Sequence, residues 1–196
     1  MSGIIAQNSG RHTGLVKTSS AAGVWNLIET LTASSDATLD FTSGIDSTYD
    51  EYIFKYNIHP SASGRLQVNF RDGSTAFDAT KTSTFWEASH AEDDGRAEGG
   101  YVTDYDLAQS TSAQALAYVG DGNDEVSVGT LHLFAPSDTT FVKHYISRSS
   151  CYHGSDLAID TFASGYCNVT VAIDGVQFSM STGDMDSGTI SLFGIT

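Results

Sequence analysis

Apolar and polar residues alternate over short stretches of this chain, and nowhere do they repeat at helical spacing over a useful length. The clearest stretch is 52–58. There Tyr52, Phe54, Tyr56 and Ile58 share one face, and Ile53, Lys55 and Asn57 share the other. A period of two marks a strand with one buried face. Pro60 ends this strand and Gly64 closes the turn, after which Leu66, Val68 and Phe70 alternate with Gln67 and Asn69. Asp72-Gly73 is then a tight-turn signal.

The same pattern predicts strands at 24–31, with Trp25 as a bulky anchor, and at 37–41 after a turn at Ser34-Ser35-Asp36. Further strands follow near 83–88, 113–119, 128–135, 141–147 and 158–173, the last in two pieces or bent at Gly165. Segments 176–180 and 189–195 read as a terminal hairpin. Residues 89–110 carry Glu92, Asp93, Asp94, Glu98, Asp104 and Asp106 among glycines, and read as a long exposed loop. One short helix within 107–118 is the most the pattern allows. Short strands in close succession, with no internal repeat, predict an all-β fold: an antiparallel β-sandwich, jelly-roll-like.

Residues 1–23 lack this alternation. Glycines interrupt them, Ser and Thr fill much of the rest, and the apolar residues Ile4, Ile5, Leu15 and Val16 stand isolated. The expected organisation is an extended N-terminal arm, 1–23, followed by a sandwich domain, 24–196. Arg11 and Lys17 lie in the arm with no acid beside them, while the other 173 residues hold seven Lys and Arg against 24 Asp and Glu. An apolar, basic segment on an acidic body suits docking on a neighbouring protein, with Ile4, Ile5, Arg11, Leu15, Val16 and Lys17 as the partner-binding residues.

Composition sharpens this picture. With 40% hydrophobic and 11% aromatic residues, the 196-residue chain can bury a real core. Its net charge of −15 repels nucleic acid and anionic membranes alike, so neither is an expected partner. No stretch has the ~18 apolar residues of a membrane span. The opening residues lack a charged region followed by an apolar one, so folding in a cytoplasm is expected. In that reducing setting Cys151 and Cys167 are expected free, although neighbouring strands would let them pair.

Signatures of catalysis are missing: no Gly-x-Ser-x-Gly elbow, no His-Glu-x-x-His and no phosphate-binding loop occur. No catalytic residue, cofactor or metal site is therefore assigned, and the chain reads as a non-enzyme. His132 and His144 fall in consecutive strands and could lie opposite one another, yet packing or surface roles explain them as well. Asp121-Gly122-Asn123-Asp124-Glu125 resembles the start of a calcium loop without the EF-hand register, and an acidic turn accounts for it. Trp25, Trp86 and several tyrosines could stack on sugars, although strand aromatics more often serve cores or interfaces.

Several segments resemble uncharacterised virion structural proteins of marine tailed bacteriophages. The opening Ser2-Gly3-Ile4-Ile5-Ala6-Gln7-Asn8-Ser9-Gly10-Arg11 is similar to theirs. So are Ser47-Thr48-Tyr49-Asp50-Glu51-Tyr52 leading to Asn57-Ile58-His59-Pro60, and the ending from Gln177 to Ile195. The resemblance implies a virion component and supplies no catalytic residues. The expected role is a capsid decoration (cement) protein, a homotrimer on the major capsid protein, assembled in the host cytoplasm. The alternative is a tail-fibre or receptor-binding module that recognises a host glycan through exposed aromatics such as Trp86 and Tyr101.

Overall fold

The computed structural model describes residues 23–195. Twelve strands and no helix occur among them: β1 (Trp25–Asp36), β2 (Thr38–Phe41), β3 (Glu51–Pro60), β4 (Gly64–Arg71), β5 (Lys81–Ala91), β6 (Ala97–Tyr101), β7 (Gln114–Val119), β8 (Ser127–Phe134), β9 (Lys143–His153), β10 (Leu157–Cys167), β11 (Gly175–Met180) and β12 (Met185–Ile195). They form two antiparallel sheets packed face to face as a β-sandwich. The large sheet runs β1-β12-β3-β8-β9-β10-β5-β6 and the small one β2-β11-β4-β7.

The wiring is nested. Leaving aside β5–β6 and β9–β10, the first remaining strand pairs with the last, the second with the second-last, and so inwards: β1 with β12, β2 with β11, β3 with β8, β4 with β7. The hairpins β5–β6 and β9–β10 then extend the large sheet beyond β8.

Strand alternation builds the core. Tyr52, Phe54, Tyr56 and Ile58 of β3 face Leu66, Val68 and Phe70 of β4, together with Val176 and Phe178 of β11, in one buried cluster. The Phe178 ring lies within 5.5 Å of Phe54 and 6.2 Å of Phe41, centroid to centroid, so one side chain joins both sheets. Burying each such ring contributes about 1.5–3 kcal/mol.

Several local expectations need correction. Segments 176–180 and 189–195 form no hairpin. β11 pairs with β2 and β4, whereas β12 pairs with β1 and β3 in the other sheet. The 181–184 connection crosses between sheets beside the β3–β4 turn, and Ser61 ties the two together by hydrogen bonds to the backbone of Asp184. The 89–110 loop is partly strand: β5 continues to Ala91 and β6 pairs with it. The 107–118 segment holds strand β7 and no helix. β1 runs on through the expected turn at Ser34-Ser35-Asp36 to pair with β12.

Gly165 marks no bend, since β10 is paired on both edges along its whole length. A Cβ there would lie 2.7 Å from the Tyr145 hydroxyl, so the glycine makes room for that ring. Trp25 is no core anchor. It is 45% exposed at the start of an edge strand.

Candidate functional site

The second face of the large sheet faces away from the small one. Register carries a single row of outward side chains across all eight strands: Thr30, Ser191, Lys55, Thr130, Arg148, Phe162, Trp86 and Tyr101. Its far end is aromatic. Trp86 stands directly between Phe162 and Tyr101, and all three rings are 43–48% exposed. Arg148 lies over the Phe162 ring at 5.0 Å and grips Asp160 through two contacts of 2.9 and 3.2 Å. Tyr101 donates to Asp106 at 2.5 Å, and that hydrogen bond holds its hydroxyl pKa above the ordinary range.

The neighbouring row is apolar over β1, β12, β3 and β9, with Leu27, Phe193, Ile53 and Ile146, and polar at His132, Ser164 and Thr84. Ile146 is 51% exposed and Leu27 61% exposed. Ile53 points outward, away from the core, yet is nearly buried between Phe193 and His132. Beside them a shallow groove of about 450 Å³ runs over β8, β9, β10 and β5, lined by Phe134, His144, Ile146, Ser164, Tyr166 and Thr84.

Charge is sparse here. Outward positions of β3, β8, β9 and β10 carry only Glu51 and Asp160 against Lys55 and Arg148. Each charge is engaged: Glu51 accepts from His132 Nδ1 at 2.6 Å, Asp160 holds Arg148, and Lys55 sits 5.6 Å from the centre of the Trp25 ring. In a chain of net charge −15, most acids therefore lie elsewhere, many on the loops between strands. Depletion of charge at the centre of a patch, with aromatics and Arg enriched, is the compositional mark of protein interfaces.

Ile4, Ile5, Arg11, Leu15, Val16 and Lys17, named from the sequence as partner-binding, lie outside the described residues, as does most of the 1–23 arm. The chain enters the described part at Gly23, next to edge strand β1. Trp86 and Tyr101, named as an exposed aromatic pair, are brought together as cross-strand partners. Phe162 and Ile146 carry no signal as site residues in the sequence, because only strand register brings 158–173 and 141–147 beside Trp86 and His132.

His132 faces Ile146 across the ladder and not His144. Cys151 and Cys167 lie at opposite ends of the β9–β10 pair, facing Ile159 and Lys143, on the order of 25 Å apart. Both are buried free thiols. Burial pushes each up to about 12. In the acidic turn, Glu125 folds inward and accepts the Gly122 N–H at 2.6 Å, while Asp121 accepts from Ser63. Among the described residues no group of three or more His, Cys, Asp or Glu side chains is placed to hold a metal ion.

No protein-family model matches this chain, and no curated protein is significantly similar to it.

Proposed function

We propose that this protein is a structural component of a tailed-phage virion, a head decoration protein that binds the major capsid protein and reinforces the shell. The observation that carries this reading is the charge-poor, aromatic outer face of the large sheet. An acidic, soluble chain has no folding reason to leave Trp86, Phe162, Ile146 and Leu27 in water, and a surface buried against neighbouring subunits accounts for them. The nested strand order supports a jelly roll with two inserted hairpins, an architecture used by viral capsid and lectin domains. That is fold-level analogy and carries less weight than the face itself.

Decoration needs no cofactor. Many modest contacts, repeated by the symmetry of the shell, give high avidity. The N-terminal residues Ile4, Ile5, Arg11, Leu15, Val16 and Lys17 add a second attachment by burying apolar side chains and pairing their charge with an acidic neighbour. A homotrimer around a shell symmetry axis is the assembly this reading favours.

A second reading has its own observation. Tyr101, Trp86 and Phe162 form an exposed aromatic row next to Arg148, an arrangement that also stacks on sugar rings, as a tail-fibre module for a host glycan would. Quantifying the protein in purified particles tests both. Hundreds of copies mean decoration, and a few to a few dozen mean a tail location. Absence from particles overturns the virion assignment.

A further inference from the structure

Lys81 opens β5 on the face turned toward the small sheet and is completely buried. A buried ammonium ordinarily has a carboxylate against it. Here Nζ donates instead to two neutral oxygens, Oδ1 of Asn69 and the carbonyl of Ala79 at 2.8 Å. Burial lowers the lysine to about 8, against the opposing influence of Cys167, Asp78 and Asp72. Burial thus makes the neutral amine easier to reach here than for a lysine in water.

Asn69 is held from three sides. Besides Lys81, its Oδ1 accepts the Phe70 N–H at 3.1 Å, while Nδ2 donates to the Thr111 carbonyl at 3.1 Å on the exposed side. The carbonyl carbon therefore lies next to a desolvated amine, with a backbone donor on its oxygen and its nitrogen on the exposed side, held by the Thr111 carbonyl. These are the parts of an acyl transfer: a nucleophile with lowered pKa, an oxyanion donor and a leaving group with an exit.

We propose that Lys81 and Asn69 join in an intramolecular isopeptide bond. The Nζ lone pair attacks Cγ of Asn69, and the Phe70 N–H stabilises the negative charge that develops on Oδ1. The Cγ–Nδ2 bond then breaks. Nδ2 takes up the proton lost by Nζ and leaves as ammonia, so nothing is oxidised or reduced. Holding the two groups in contact supplies the effective concentration that an uncatalysed amide exchange lacks. The product is a neutral amide where a buried cation stood, and it ties β4 of the small sheet to β5 of the large one. It is independent of any virion role.

Mass spectrometry of the denatured full-length protein tests this directly. The expected mass is that of the chain less one ammonia. Trypsin should fail to cut after Lys81, giving a branched peptide that joins 66–71 to 72–96. Lys81→Arg and Asn69→Ala should each restore the full mass. Asn69→Asp should form the same amide with loss of water and end at the cross-linked wild-type mass. Should these variants not fold, the wild-type digest decides alone. Separate linear peptides 66–71 and 72–81 from wild-type protein overturn the proposal.

Discussion

The guanidinium of Arg65 lies 3.2 Å from the carboxylate of Glu87, joining β4 of the small sheet to β5 of the large one. Both side chains are largely buried, and the Arg65 plane also sits 3.4 Å from the centre of the Tyr105 ring. Glu87 → Gln, which keeps the shape and removes the charge, should destabilise the fold by about 3–5 kcal/mol, because it strands a buried cation. Urea unfolding measures this. A loss under about 1 kcal/mol would mean that Tyr105 and solvent suffice to hold Arg65.

Gly129 of β8 faces Tyr56 of β3 in register, and a Cβ added there would lie 2.5 Å from the Tyr56 hydroxyl. That hydroxyl hydrogen-bonds Ser147 and Ser149 inside the core. Gly129→Ala should therefore displace the ring, press on the equally close backbone oxygen of Arg148 and cost about 1–3 kcal/mol by overpacking, read as a lower thermal midpoint. An unchanged midpoint would show that the ring and the β9 backbone can shift without loss.

The outer face gives a sharper contrast. Trp86→Ala and Phe162→Ala remove exposed rings, so stability should change little, on the order of 0.5 kcal/mol. Attachment to particles lacking this protein should instead fall tenfold or more, as expected for aromatic anchors at an interface. If both variants reattach at full strength, the face is not the contact surface. Loss of glycan binding with particle attachment intact would favour the tail-module reading.

Alkaline pH should weaken the fold through its buried thiols. Cys151 and Cys167 are raised by burial from the ordinary 9.0 to about 12, so the folded state keeps protons that the unfolded chain has given up. Their contribution is fully present below pH 9 and is lost as pH climbs from 9 toward 12, at about 1.4 kcal/mol per pH unit for each thiol. Tyr56, also raised to about 12 by burial, adds to the upper part of that window. Denaturant unfolding between pH 8 and 11 checks the slope, which Cys151→Ala should reduce. A flat profile would mean that the thiols are not protected in the folded state.

The same burial makes both cysteines inert toward thiol reagents. Neither should react in native protein at neutral pH, and both should react once unfolded. Rapid labelling of native protein would show that the ends of the β9–β10 pair open readily.

How much of this was legible in the sequence follows the range of the forces involved. Alternation is local, and it sufficed for the all-β sandwich, for the inward face of 52–58 and for most strand centres. Strand ends were less legible. β1 ran through its apparent turn because β12 pairs with it from the far end of the chain. The apparent terminal hairpin dissolved for the same reason, since β4 and β3 offered 176–180 and 189–195 better partners in different sheets.

The candidate face shows the division most clearly. The sequence by itself determined that the chain is strongly acidic; it put Tyr101 in an acidic loop and Trp86 on a strand, and offered the two as exposed aromatics only for a glycan-binding role. Only the tertiary structure decided that Tyr101, Trp86, Phe162 and Arg148 form one continuous row and that the acids stay largely clear of it. No spacing along the chain encodes that row. Its members meet through the register of non-adjacent strands, and that register is fixed by burial of the opposite face against the small sheet.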